Sequence, residues 1–519
     1  MHLRPTELIN VAHLQNIMKR FDYLKEYPEL IIVFVGMLLR LPLLFTPLSF
    51  STDAWRQVDT ASIAYHFYVN GFKILYPQIF WGGNGPGYVE TEFQLYPYIV
   101  SILYYFFGEH YWLGKFVSLL FSVVAWLLFF PLAQRVLADK RAAMWALLFL
   151  VFSPLYLRYS VAFMPEATVM LFYIAALFFF VNWTSSSRKT DLVFASVCTA
   201  LAILVKPTSI HLGLVFALVA LNKWGINILR RWEAWLSVFI ALLPGVVWYL
   251  HARNIYLTYG NTFGLLSGGD SKFGSLGLWL RPHLYYHISY LDLKWTLGFG
   301  ASLLFIVGVV IAMKRKDLRL ILFGLATIGL YYLIVPRYSH EEWGIQYHVY
   351  ILPFAALAVG LGVAWILDKN KGFARMGALW LSAGVFFGAT LVLFFGMLFS
   401  GNDGLYKCAG YVKELVPAAE RIVVSTTSPA FDNGMPNNYQ EPQIFFYSRH
   451  YGWSLPADWH NVEKLVEYRT AGASYFVIYS NDLLASNPDL VNYLDENSIQ
   501  VGPGIDKSCA IYRFLPLLE

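Results

Sequence analysis

The sequence predicts an all-α polytopic membrane protein of about eleven transmembrane helices that ends in a soluble α/β domain. Composition is the first observation behind this. Of 519 residues, 57% are hydrophobic and only 14% charged, with a mean hydropathy of +0.51, whereas a soluble globular chain carries roughly a quarter charged residues. The second is length: apolar runs of about twenty residues recur along the first four-fifths, long enough to cross a hydrocarbon layer as helices. The third is where the cations fall. Lys19-Arg20 and Lys25, Arg135 with Lys140-Arg141, and Arg188-Lys189 occupy alternate gaps between runs. Lys223 with Arg230-Arg231, Lys314-Arg315-Lys316 with Arg319, and Lys369, Lys371 and Arg375 continue the series. The net charge of +5 is therefore a topological signal under the positive-inside rule, not a nucleic-acid signal.

Residues 1–28 are polar and mildly amphipathic and read as a cytoplasmic interfacial segment. The membrane-embedded part, 29–400, opens with an apolar run from Leu30 to Leu48 that no small-residue cleavage site follows, so it is expected to be a retained helix. Spans are expected at about 30–48, 112–134, 141–157, 166–184, 190–206, 208–222, 233–251, 293–313, 318–335, 347–367 and 374–399. Eleven crossings leave the N-terminus in the cytoplasm and the C-terminal domain extracytoplasmic, as in a multi-pass protein of the bacterial cytoplasmic (inner) membrane. Two long outer loops, 49–111 and 252–292, follow. Leu95–Phe107 is apolar but short, and counting it as a span would put the Arg135–Arg141 cations outside. It is expected to lie at the interface, a depth that suits Tyr96, Tyr98, Tyr104 and Tyr105.

From Gly401 the pattern becomes that of a soluble α/β domain, 401–519. Ile422–Ser425, Tyr475–Tyr479 and Cys509–Phe514 read as strands, and His460–Ala471 and Asp482–Glu496 as helices, which suggests a mostly parallel sheet. Cys198 falls in a span. Cys408 and Cys509 share the outer domain, where a disulfide is chemically permitted, but their spacing does not decide the pairing.

Candidate chemistry gathers on the outer side. The first loop holds Asp53, Arg56, Asp59, His66, Glu90 and Glu92. In a helix, Asp53, Arg56, Asp59 or Thr60, and Ile63 share a face. The plain reading makes Asp53 a helix cap and Arg56–Asp59 a salt bridge. Met164-Pro165-Glu166 opens a span, where proline and a carboxylate both suit a helix start. Lys206-Pro207 ends one span and begins the next; snorkelling is the plain reading, but the outer face is the wrong side for it. Arg158, His283, His287, Arg337, His340, Glu341, Glu342 and His348 complete the outer polar set. Gly82-Gly83-Asn84-Gly85-Pro86-Gly87 lacks the strand–helix context of a nucleotide-binding loop, so no nucleotide cofactor is expected.

Trp55-Arg56-Gln57-Val58-Asp59-Thr60-Ala61-Ser62-Ile63-Ala64 and Tyr88-Val89-Glu90-Thr91-Glu92-Phe93-Gln94-Leu95-Tyr96-Pro97-Tyr98 resemble the first outer loop of GT-C type lipid-phosphate-sugar glycosyltransferases. The nearest named relatives are the protein O-mannosyltransferases and the lipid A aminoarabinose transferases. The resemblance extends through Ser153-Pro154-Leu155-Tyr156, Phe163-Met164-Pro165-Glu166 and Leu201–Pro207, covers roughly residues 30–220, and hardly reaches the C-terminal domain. It implies a GT-C fold and the transfer of a sugar, with inversion, from a polyprenyl phosphate to an acceptor hydroxyl of a lipid, glycan or protein on the outer membrane face.

The leaving phosphate is already a stable anion. Such a reaction needs a base for the acceptor and cations for the phosphate, not a strong general acid. By resemblance Asp53 is the base, Arg56 and Lys206 bind the donor phosphate, and Glu166 is a second acid that orients the acceptor or holds a cation. Asp59, His66, Arg337 and His340 are further substrate-binding candidates. The aminoarabinose transferases imply a divalent metal ion, held here by Glu90 or Glu92 with His283 or His287, although Glu90-Thr91-Glu92-Phe93 departs from their acid-basic-proline-proline run. Ala54 after Asp53 departs from the adjacent Asp-Glu pair of the mannosyltransferases. Two other classes compete: a transporter or flippase of lipid-linked sugars, and a non-catalytic polysaccharide assembly factor. Against transport, the charges sit at the rim and not mid-span, and no inverted half-repeat is visible.

Overall fold

The computed structural model describes residues 26–48, 53–269, 271–368, 373–401, 404–432, 434–480, 487–503 and 509–516. Most of the expected segment 1–28 lies outside the described residues. Among those described, seven helices are long and apolar enough to cross a membrane: Pro28–Phe45, Tyr111–Leu137, Glu166–Ser186, Pro207–Arg230, Trp232–Tyr259, Glu342–Asp368 and Arg375–Leu398. Shorter helices at Lys140–Phe152, Lys189–Val205, Ser302–Lys314 and Leu318–Gly329 fall on the other expected spans. Two of these are interrupted. Ser153 is extended ahead of Pro154, which breaks the 141–157 run into Lys140–Phe152 and Pro154–Tyr159. The 293–313 run begins as a π-turn at Asp292–Thr296 and becomes regular helix only from Ser302.

The helix Leu352–Asp368 is apolar all round and nearly all buried, so it sits at the centre of the bundle. Small residues let its neighbours approach. A Cβ on Gly308 would lie 1.8 Å from the Ala358 carbonyl oxygen, and one on Gly360 2.3 Å from that of Ala142. Leu95–Phe107 is a thirteen-residue helix, about 20 Å long and too short to span. It buries Tyr96 and Tyr104 and exposes Tyr105, Phe106 and Phe107.

The C-terminal segment builds strands β1 (Ile422–Ser425), β2 (Phe431–Asp432), β3 (Met435–Pro436), β4 (Gly452–Leu455), β5 (Tyr475–Ile478), β6 (Ser498–Gln500) and β7 (Ala510–Phe514). Five of them form one sheet in the order β4-β1-β5-β7-β6. The sheet is mixed rather than mostly parallel: β1 pairs in parallel with β4 and β5, whereas β7 runs antiparallel to both β5 and β6. The strands β4 and β6 escape a sequence reading because β4 opens on glycine and has no β-branched residue, and β6 is three residues long. Cys408 and Cys509 form a disulfide that ties the helix Gly404–Leu415 to the start of β7.

This sheet is stitched to the first loop. Gly83 N–H donates to the Gly452 carbonyl at 2.8 Å, Gly452 N–H to that of Phe80 at 3.2 Å, and Arg421 to that of Gly83 at 2.8 Å. Phe67, Ile79 and Phe80 of the loop share one apolar core with Cys408, Ile444, Phe445 and Cys509. The loop that carries the candidate residues is thus packed between the bundle and the sheet.

Candidate functional site

Two antiparallel spans bring the first pair together. Glu166 opens the helix Glu166–Ser186, and Lys206 caps the end of the returning helix Lys189–Val205, where Pro207 stops it. Their side chains form a buried ion pair. Beside it, Glu92 is fixed through its neighbours: Trp248 donates to the Thr91 carbonyl at 3.1 Å, and Phe93 N–H to that of Leu204 at 2.9 Å. Glu92 pairs with Arg56, which lies in the first turn of the helix Ala54–Val69. Burial pushes the Glu92 carboxyl up, but the Arg56 guanidinium beside it outweighs this and holds it below its ordinary value.

Arg56, Glu92, Glu166 and Lys206 line one cavity of ≈ 100 Å³, together with Trp55, Gln346 and Lys272. Lys272 comes from the second long loop. Each cation rests on an aromatic face: Arg56 on Phe263 at 4.7 Å, Lys206 on Tyr347 at 4.8 Å and Lys272 on Tyr338 at 4.1 Å. Three cations face two carboxylates, so the cavity has room for a further negative charge. Two buried acceptors on its wall, Glu166 Oε2 and Gln346 Oε1, have no hydrogen-bond partner among the described residues. An anion with hydroxyl groups would satisfy both features.

Asp53, expected as the base, does not line this cavity. Its Oδ2 accepts from Arg158 Nη2 at 2.6 Å, Arg158 Nε at 2.8 Å and the Tyr159 hydroxyl at 3.0 Å. It makes no side-chain cap bond, and Arg56 pairs with Glu92 and not with Asp59, so neither plain sequence reading holds. Neither Arg158 nor Tyr159 lines the cavity. Asp59 is buried and accepts from Trp81 Nε1 at 3.0 Å. Burial raises its carboxyl to about 7 despite that bond and the nearby Arg56.

His66 lies elsewhere. Its Nδ1 bonds the Ser62 carbonyl at 2.8 Å and its Nε2 the Tyr451 hydroxyl at 3.0 Å, so it joins the first loop to the C-terminal sheet. Arg337, His340 and His283 line a separate cavity of ≈ 720 Å³ with Arg281 and Asp432. The His283 ring lies 3.7 Å from that of His287, tilted at 33°. The expected metal set therefore does not assemble. Glu90 is held by Thr262 at 2.5 Å and Ser267 at 3.0 Å, Glu92 belongs to Arg56, and both histidines line or flank the other cavity. Among the described residues no three His, Cys, Asp or Glu side chains gather in metal-binding geometry. The donors do not fit a divalent ion.

Sequence reasoning missed Lys272 altogether, since a lone lysine in a glycine-rich loop carries no periodic signal. Arg158 stood in the outer polar set, but nothing in the sequence tied it to Asp53.

Residues 94–250 match the family model described as dolichyl-phosphate-mannose-protein mannosyltransferase. No curated protein matches the chain by sequence. Among solved structures, ArnT from Cupriavidus metallidurans bound to undecaprenyl phosphate is similar at a TM-score of 0.62 and 13% identity, over 96% of this chain and 98% of that one. Its apo state gives 0.64 and 14% over the same shares. The archaeal oligosaccharyltransferase AglB from Archaeoglobus fulgidus, in complex with an inhibitory peptide and a dolichol-phosphate, gives 0.58 and 13%, over 95% of this chain and 75% of that one. These likenesses show that the chain has the GT-C fold.

Proposed function

We propose that this chain is an inverting glycosyltransferase that moves a sugar from a polyprenyl phosphate to an acceptor hydroxyl at the extracytoplasmic membrane face. The observation that carries this reading is the cavity in which Arg56, Lys206 and Lys272 converge beside Glu166, at the mouth of two spans. The family match over residues 94–250 and the solved structures bound to lipid phosphates support the donor class. The Cys408–Cys509 disulfide supports an oxidising compartment for the C-terminal domain, in agreement with the cationic loops on the other side.

The donor phosphate competes with Glu166 for Lys206. Arg56 presents a planar fork and the two lysines act as point charges, which together stabilise the phosphate as it leaves. Once Lys206 turns to the phosphate, the Glu166 carboxylate is released and its unpaired Oε2 accepts the proton of the attacking hydroxyl. Asp53 acts as a positioning residue, holding Arg158 and Tyr159. No step requires a metal ion.

Titrating the purified protein with undecaprenyl phosphate tests the donor site. Removing one charged hydrogen bond costs about 1.5–3 kcal/mol, so Lys206→Ala and Lys272→Ala each weaken binding about tenfold to a hundredfold. Unchanged affinity in both variants overturns the phosphate assignment.

A further inference from the structure

A second cleft opens next to the cavity. It measures ≈ 490 Å³, within the roughly 300–1,000 Å³ of small-molecule sites. Its walls come from three places: the glycine turn of the first loop, the end of the helix Trp232–Tyr259 with the loop behind it, and the face of the C-terminal domain around β4. Asn438 lines both the cleft and the cation cavity, and Phe263 and Gly264 are adjacent residues on either side of the boundary. The two spaces are therefore continuous in the chain that walls them.

The chemistry of the cleft is the opposite of its neighbour's. No charged side chain lines it among the described residues. It is walled by half-buried aromatics, among them Trp453, Trp459 and Tyr439, interspersed with amides, among them Asn84, Asn261 and Asn437. Tyr439 and Trp459 stand 6.0 Å apart, tilted at 54°, which makes a corner and not a closed stack. An aromatic face covers the apolar C–H face of a pyranose, and an amide both donates to and accepts from ring hydroxyls. A charged headgroup would be desolvated in such a cleft with no counter-charge to meet it.

We propose that this cleft holds the acceptor, and that the acceptor is an uncharged glycan whose terminal hydroxyl reaches the cation cavity past Asn438. The proposal rests on the transferase reading above and narrows it: among lipid, glycan and protein acceptors it selects a neutral saccharide chain. The C-terminal domain then has a task in catalysis, since Phe431, Tyr439, Trp453, Trp459 and Tyr468 supply most of the aromatic wall.

The test uses the full chain in lipid nanodiscs, free of sugar-based detergent, and reads tryptophan fluorescence and saturation-transfer NMR. The probes are neutral manno-, malto-, cello- and chito-oligosaccharides, with heparin-derived oligosaccharides and a serine-rich peptide as contrasts. A neutral oligosaccharide is expected to bind, and Trp459→Ala to weaken it at least about tenfold, as truncation of a buried aromatic anchor does. Asn437→Ala serves as the second variant should Trp459→Ala fail to fold. Undecaprenyl phosphate affinity stays unchanged in both, because neither residue lines the cation cavity. Binding of the peptide or the anionic saccharide alone overturns the proposal, as does the absence of any neutral saccharide binding. If undecaprenyl phosphate still binds in that case, the donor reading survives and only the cleft assignment falls.

Discussion

Lys206 closes one span, Glu166 opens its neighbour, and the two meet in a buried ion pair on the cavity wall. The hairpin of 21- and 17-residue helices that joins them brings both ends to one level. Each charge also sits at the helix end that suits it, the carboxylate at the positive terminus and the ammonium at the negative one. Under the proposed mechanism a phosphate displaces the carboxylate from the lysine, so that phosphate arrival and release of a base are one event.

Glu166→Gln is expected to lower turnover of a polyprenyl-phosphate sugar by a factor of about 10²–10⁴, with undecaprenyl phosphate binding retained. Asp53→Asn lowers turnover less, because Asp53 acts through Arg158 and Tyr159. A larger loss of turnover in Asp53→Asn than in Glu166→Gln would transfer the role of base to Asp53.

The spans were legible because hydrocarbon thickness forces long apolar runs. The first-loop acids, Glu166 and Lys206 stood out because charge beside hydrocarbon is costly. What sequence could not supply was pairing across elements. Arg56 takes Glu92, thirty-six residues away, in place of the Asp59 on its own helix, since the loop folds back through Thr91 and Phe93. His66, expected among the substrate-binding residues, bonds Tyr451, a partner that lies 385 residues on. The parallel reading of the sheet failed for a similar reason: β6 is three residues long and too short to register.

Asp59 gives a pH signature. Burial raises its carboxyl from about 3.8 to about 7, so the folded protein binds more protons than the unfolded chain between those values. Stability from this group is full below about 3.8 and is lost as pH rises through about 7. His66 has the opposite slope: burial lowers it from 6.5 to about 4, so its contribution is lost as pH falls through that window. The two partly cancel in the native protein. Asp59→Asn is expected to leave melting temperature rising from pH 4.5 to 6.5 and flat to pH 8, measured by intrinsic fluorescence. An unaltered pH dependence would mean that Asp59 titrates normally.

The Cys408–Cys509 disulfide joins positions 101 apart in sequence inside a core that also contains Phe67, Ile79 and Phe80 of the first loop. Losing a native disulfide of this kind costs about 2–5 kcal/mol. Because the core is shared, the loss is expected to spread beyond the C-terminal domain to the loop that carries Arg56 and Glu92. In the Cys408→Ser/Cys509→Ser protein, limited proteolysis read by mass spectrometry is expected to cut residues 70–92 and the C-terminal sheet together, and undecaprenyl phosphate affinity falls with them. Cleavage confined to residues 401–519, with the first loop still protected, would show that the loop is ordered by the membrane bundle alone. The sheet would then be a passenger on the donor site and not its support.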